Sequence, residues 1–124
     1  MMSKNELTEI LRLHKMWLSG EDGGLRADLR GADLRGANLG TSFRGADLRG
    51  ANLQGASIDF SSFPLWCGGA YFKADVKLLR QLAAHMCTID CEDKEWLELK
   101  KTILPFAQKS HRAEDLGLID EEEK

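Results

Sequence analysis

Residues 27–58 read A-D-L-R-G, A-D-L-R-G, A-N-L-G-T, S-F-R-G, A-D-L-R-G, A-N-L-Q-G, A-S-I. Ala27, Ala32, Ala37, Ala46, Ala51 and Ala56 are each followed two residues later by Leu29, Leu34, Leu39, Leu48, Leu53 and Ile58. The period is five. It matches neither the 3.6 of a helix nor the 2 of a strand. Gly31, Gly36, Gly45, Gly50 and Gly55 close successive units, which places a permissive backbone position at a fixed corner. A coil that turns every five residues satisfies this pattern, with Ala and Leu inward and Asp, Asn and Arg outward.

These units resemble the pentapeptide-repeat family, whose motif is A-[D/N]-L-x-x. The clear match runs from Ala27 to about Phe63, with a weaker step from Leu25. The resemblance implies a mainly β solenoid plus α: a right-handed, four-sided (quadrilateral) β-helix with the large residue and its preceding small residue stacked inside. Taking the large residues as centres gives Leu25, Leu29, Leu34, Leu39, Phe43, Leu48, Leu53, Ile58 and Phe63. Two steps are of four residues, Leu25 to Leu29 and Leu39 to Phe43, and the second implies a tightened corner near Gly40 and Thr41. Four centres per coil gives about two coils, a stack only about 10 Å tall at strand spacing. Such a stub needs caps, because its open ends expose unpaired backbone groups.

The flanks are expected to supply the caps. Residues 3–18 carry a capping-box pair, Ser3 and Glu6, and an apolar stripe through Leu7, Ile10, Leu11, His14, Trp17 and Leu18. After Phe63, Pro64 to Gly69 form a loop in which Leu65 and Trp66 are placed to plug the coil end. Helices are expected over residues 75–89, with Asp75 as N-cap, and 92–110, kinked by Pro105. The domain reading is a capping helix at 1–20, the repeat at 21–66, a helical region at 67–112 and a mobile, solvated acidic tail at 113–124.

Composition narrows the function. The chain has 124 residues and a net charge of -3, so nothing global favours nucleic acid or an anionic membrane. No apolar run reaches the ~18 residues of a membrane helix. The charged residues Lys4, Glu6, Glu9, Arg12 and Lys15 interrupt any signal-peptide core, and a cytoplasmic location is the expectation. Three cysteines are read as free thiols. Cys67, His85, Cys87 and Cys91 are metal-ligating types, but no C-x-x-C pair exists and buried thiols are the simpler reading. No P-loop, G-x-G-x-x-G, G-x-S-x-G or H-E-x-x-H is present. The chain is therefore read as a non-catalytic binding protein with no cofactor and no metal.

The candidate ligand-binding residues are Arg26, Arg30, Arg44, Arg49, Trp66, His111 and Arg112. Arg30 and Arg49 lie one coil apart on one side, Arg26 and Arg44 on the next, and guanidinium groups so stacked suit bidentate phosphate. Asp28, Asp33 and Asp47 stand two residues before Arg30, Arg35 and Arg49, so a ladder of surface ion pairs explains the same pattern. Trp66 offers a ring for stacking, and His111 and Arg112 follow the last helix, where a cation is favoured by the dipole in any case.

The layout also resembles small pentapeptide-repeat proteins of bacteriophage and prophage. That resemblance implies a counter-defence role, by sequestration of a nucleotide-like signalling ligand or by blocking a host defence protein. The alternative it offers is a DNA-mimicking inhibitor of an enzyme such as a topoisomerase, or a plain interaction module. Residues 21–66 carry five basic and six acidic groups, a mixed surface that suits mimicry of a phosphate rod poorly. A homodimer would cover the exposed coil ends.

Overall fold

The structure, a computed structural model, describes residues 2–40 and 42–119. Its regular elements are α1 (Lys4–Leu18), α2 (Val76–Cys87) and α3 (Lys94–Ala107), with a short 3-10 turn at Cys67–Gly69. The chain divides into two units, Met1–Asp75 and Val76–Lys124.

The period of five in the first unit comes from a repeated turn. Ala32 N–H donates to the Leu29 carbonyl at 3.0 Å, and Gly31 between them sits at φ 68°. A positive φ at the third position defines a type II turn, which requires a residue without a Cβ penalty. The same bond closes Leu34 to Ala37, Phe43 to Ala46, Leu48 to Ala51 and Leu53 to Ala56. After each turn the chain advances one side, and the next large residue points inward. Leu29, Leu34, Leu39, Phe43, Leu48 and Leu53 are fully buried, with Ala27, Ala46 and Ala51 beside them.

Successive courses of turns are held together by isolated parallel bridges: Asp28 with Asp47, Asp33 with Asn52, Asn38 with Ser57, and Ser42 with Ser62. The first three span nineteen residues and the last spans twenty. The four-residue step between Leu39 and Phe43 accounts for that difference, although its corner residue Thr41 lies outside the described residues.

The expected quadrilateral β-helix is corrected by this geometry. Among the described residues there is no β-strand and no sheet, and the three helices supply the regular structure. The physical reason is that a turn follows each bridge before a second can form beside it. A strand needs consecutive paired residues, and a five-residue side that spends its remainder on a turn never accumulates them.

Three further expectations are revised. Leu25 is 62% exposed, so the buried series starts at Leu29. Leu65 is 96% exposed and plugs nothing; Pro64 and Gly68 are the buried residues of that loop. The stack also continues beyond residue 66, where the sequence reading ended it. Leu48 N–H donates to Gly68, Gly50 N–H to Tyr71, and Leu53 N–H to Lys73, all within 2.7 Å, and Lys73 N–H returns to Ala51 at 2.7 Å.

In the same unit α1 begins at the Ser3 cap, whose Oγ accepts from Glu6 N–H at 3.1 Å. Three contacts fix the helix to the first course. Leu25 N–H donates to the Leu13 carbonyl, Ala27 N–H to His14 Nδ1, and Met2 N–H to the Asp33 carbonyl.

In the second unit α2 and α3 pack through Ala84, Cys87 and Ala107, with Ile103, Leu104, Leu116 and Leu118 against them. Asp93 caps α3 by accepting from Trp96 N–H at 3.0 Å. α2 starts directly after Asp75, whose Oδ2 accepts from Gly55 N–H at 2.7 Å. α3 runs through Pro105 and ends two residues later. Residues expected in the solvated tail are partly packed: Ala113 is fully buried, and Leu118 N–H donates to its carbonyl at 2.9 Å. The acidic end, residues 120–124, lies outside the described residues. No helix among the described residues is long and apolar enough to cross a membrane.

Candidate functional site

Two stacked A-D-L-R-G units bring their Asp-x-Arg pairs into one corner. Asp28 and Asp47 are bridge partners, so Arg30 and Arg49, each two residues on, lie one above the other. In each unit the aspartate binds its own arginine twice. Arg30 Nε and Nη2 donate to Asp28 at 2.9 and 2.8 Å. Arg49 donates to Asp47 at 3.0 and 2.6 Å. The aspartate also accepts the backbone N–H of the same arginine at 3.2 Å in both units. This local closure follows from the i, i+2 spacing across the start of a turn.

The two aspartates are not equivalent. Asp28 is exposed, whereas Asp47 is 4% exposed, and Arg30 Nε reaches it as well at 3.8 Å. The Arg30 side chain, its backbone N–H and the charges of Arg30 and Arg26 together hold the Asp28 carboxyl down at about 2. The Arg49 side chain similarly holds Asp47 below its ordinary value, against the opposing effect of burial.

Trp66 completes the corner. Its indole Nε1–H donates to the Ala46 carbonyl at 2.8 Å, which fixes the ring beside the second course. The Arg26 guanidinium lies 4.8 Å from the ring centroid and that of Arg49 lies 5.9 Å away. Gly68 approaches the same ring so closely that a Cβ there would collide with it. Arg26, Asp28, Arg30, Asp47 and Arg49 line a cavity of about 210 Å³. The corner therefore holds three guanidinium groups and two carboxylates. Arg30 and Arg49 are neutralised by Asp28 and Asp47, and Arg26 forms no ion pair among the described residues.

The structure thus brings Arg26, Arg30, Arg49 and Trp66 together and leaves the other candidates elsewhere. Arg44 is exposed on another turn, its backbone N–H 3.5 Å from Ser42 Oγ, beside a Gly45 that faces the Trp17 ring. His111 and Arg112 belong to the second unit. There Arg112 pairs with Asp115 at 3.3 Å, and its N–H donates to Ser110 Oγ at 3.1 Å. Arg35 repeats the pattern with Asp33 at 2.7 Å, but the next course offers Asn52 in place of a second aspartate, and no shared corner forms. Cys87 is buried, and Cys67 and Cys91 are exposed.

Spacing alone exposes the Arg30–Arg49 column. The anchoring of Trp66 on Ala46 and the burial of Asp47 carry no signal in the sequence, since each depends on a residue about twenty positions away.

Compared with known families, residues 26–63 match the model for pentapeptide repeats, in eight copies. No curated protein and no solved structure matches the chain.

Proposed function

Residues 26–63 are pentapeptide repeats, of a family generally made of non-enzymatic structural or interaction modules, and we propose that this chain is a non-catalytic protein that docks a protein partner through the Arg26–Arg30–Arg49–Trp66 corner. The observation that carries the reading is the Arg26 guanidinium, which forms no ion pair among the described residues and is held against Trp66 beside two arginines whose charges are already matched. A carboxylate or phosphate group on the partner pairs with Arg26 and is steered there by the local excess of one positive charge. Arginine and tryptophan side by side are also the residue types that dominate binding hot spots.

Blocking a protein, a host defence protein if the chain is phage-encoded, suits this corner better than sequestering a nucleotide-like signal. Ligand pockets generally span about 300–1,000 Å³, and the corner encloses only about 210 Å³. The Trp66 ring that a base would stack on is already engaged by Arg26 and Gly68. DNA mimicry is opposed by the excess guanidinium.

The test compares wild type with Arg26→Gln and Trp66→Ala as baits in host lysate, alongside a thermal-shift panel of cyclic di- and trinucleotides and ADP-ribose derivatives. The expected result is a host protein retained by wild type, released by salt and lost from both variants, with a flat panel. A ligand at 100 times its Kd stabilises by about 2.7 kcal/mol, so a clear shift with one nucleotide would overturn this reading in favour of sequestration. Retention of the same protein by both variants would remove the corner from the interface.

A further inference from the structure

Beside α1, the first course lines a second cavity, of about 450 Å³. Its walls are Leu7, Thr8 and Leu11 of α1 and the segment Asp33 to Asn38, with Met2 and Lys4 at one end. Leu34 is fully buried behind it, and Leu7, Leu11 and Ala37 are half-buried.

The backbone of this wall is open on the cavity side. In the bridge between Asn38 and Ser57, the bonds run from Leu39 N–H to the Ser57 carbonyl and from Ser57 N–H to the Ala37 carbonyl. In a parallel bridge of that form the N–H and C=O of Asn38 itself point away from the stack. Neither has a backbone partner among the described residues. The equivalent groups of Asp33 are placed the same way, and there the chain supplies its own partner: Met2 N–H donates to the Asp33 carbonyl at 3.1 Å. The edge accepts an added backbone at one position and leaves the next one free. Charge is also unbalanced, because Arg35 is tied to Asp33 whereas Lys4 forms no ion pair among the described residues.

We propose that the groove between α1 and the Asp33–Asn38 edge binds an extended peptide segment of a protein partner. The segment pairs its backbone with Asn38 N–H and C=O, inserts an apolar side chain between Leu7, Leu11 and Ala37, and sets a carboxylate against Lys4. Main-chain pairing provides attachment and the apolar pocket provides selectivity, the division of labour in strand-addition recognition. This site shares no residue with the arginine corner, and its failure would leave the function proposed above standing.

The test uses the whole 15N-labelled chain and four acetyl-Glu-X-Glu-X-Thr-amide peptides, with X as Val, Ile, Leu or Phe. At least one peptide should shift the amide resonances of Gly36 to Leu39 saturably and slow exchange of the Asn38 amide. Leu7→Asp should abolish the shifts, Lys4→Glu should weaken binding at least tenfold, and Arg26→Gln should leave it unchanged. Asn38→Pro removes the outward N–H and keeps both backbone bonds of the bridge with Ser57, losing within the stack only the Asn38 Oδ1 acceptor of Gly40 N–H, so it should also abolish binding. Spectra of each variant confirm that it folds. The proposal is overturned by the absence of saturable shifts with all four peptides, by binding that survives both Leu7→Asp and Asn38→Pro, or by shifts that map to the arginine corner. It is equally overturned if the Asn38 region responds to protein concentration without peptide, because the occupant is then a second copy.

Discussion

His14 ties the stability of the first unit to pH. The side chain is buried on α1, and its Nδ1 accepts from Ala27 N–H at 2.9 Å. An accepting Nδ1 places the proton on Nε2 in the neutral ring. That Nε2 is buried and finds no hydrogen-bond partner among the described residues. A second proton would have to sit on Nδ1, facing the Ala27 N–H donor. Burial pushes the His14 pKa below its ordinary 6.5; the nearby Arg44 carbonyl acts in the opposite sense without reaching hydrogen-bond geometry, and the Arg26 charge adds to the depression. With the folded pKa below the unfolded one, the unfolded chain binds the extra proton between the two values. Stability is then complete above pH 6.5 and falls as pH drops below it. One proton gives a limiting slope of about 1.4 kcal/mol per pH unit. At that limiting slope the loss between pH 6.5 and pH 5 is at most about 2 kcal/mol. The carboxylate Asp28, lowered from 3.8 to about 2, acts in a separate window below pH 4. The assay is urea denaturation from pH 8 to 5 in a Trp96→Phe background, which leaves Trp17 and Trp66 as reporters of this unit. His14→Asn keeps an acceptor for Ala27 N–H and cannot titrate, so its stability should be flat over that range. Equal slopes with and without the His14→Asn substitution would refute the reasoning.

Phe60 occupies the turn position that glycine fills in the earlier units, at φ 65°, with its ring 87% exposed. Phe60→Gly relieves a conformation that costs roughly 1–2 kcal/mol and gives back part in chain entropy, so a net gain of up to about 1 kcal/mol in denaturant titration is expected. Asp47→Asn should lower the denaturation midpoint well beyond Asp28→Asn, because Asp47 is buried between Arg49 and Arg30 while Asp28 faces solvent; equal midpoints would show that the burial does not matter. Gly68→Ala forces a methyl group against the Trp66 ring, with an expected cost of about 1–3 kcal/mol and a red shift of tryptophan emission; an unchanged spectrum would mean that the ring is not held there.

The features legible in the sequence are local ones. The turn that sets the period of five is closed within four residues, and the Gly31 position can be read from Leu29 and Ala32 alone. The Asp28–Arg30 and Asp47–Arg49 pairs are equally local, as are the Ser3 and Asp93 caps that start α1 and α3. Each is decided by torsions and side-chain reach over two to four positions, and the helix ends came within three residues of their observed places. The β-strands implied by the family resemblance failed because strand formation is collective: each five-residue side fits one bridge and then turns. The continuation through Gly68, Tyr71 and Lys73 was invisible because C-G-G-A-Y-F-K carries no A-[D/N]-L signature, and its backbone is held by bonds to Leu48, Gly50 and Leu53. Only the tertiary structure decided that Asp47 is buried and Asp28 is not, although they stand in two identical A-D-L-R-G units. The first course leaves its outer edge to α1 and solvent, whereas the second lies between the first and the Gly68–Lys73 pass. Burial, and with it the electrostatics of the arginine corner, depends on what the next course places above a residue, and no spacing within a single unit carries that information.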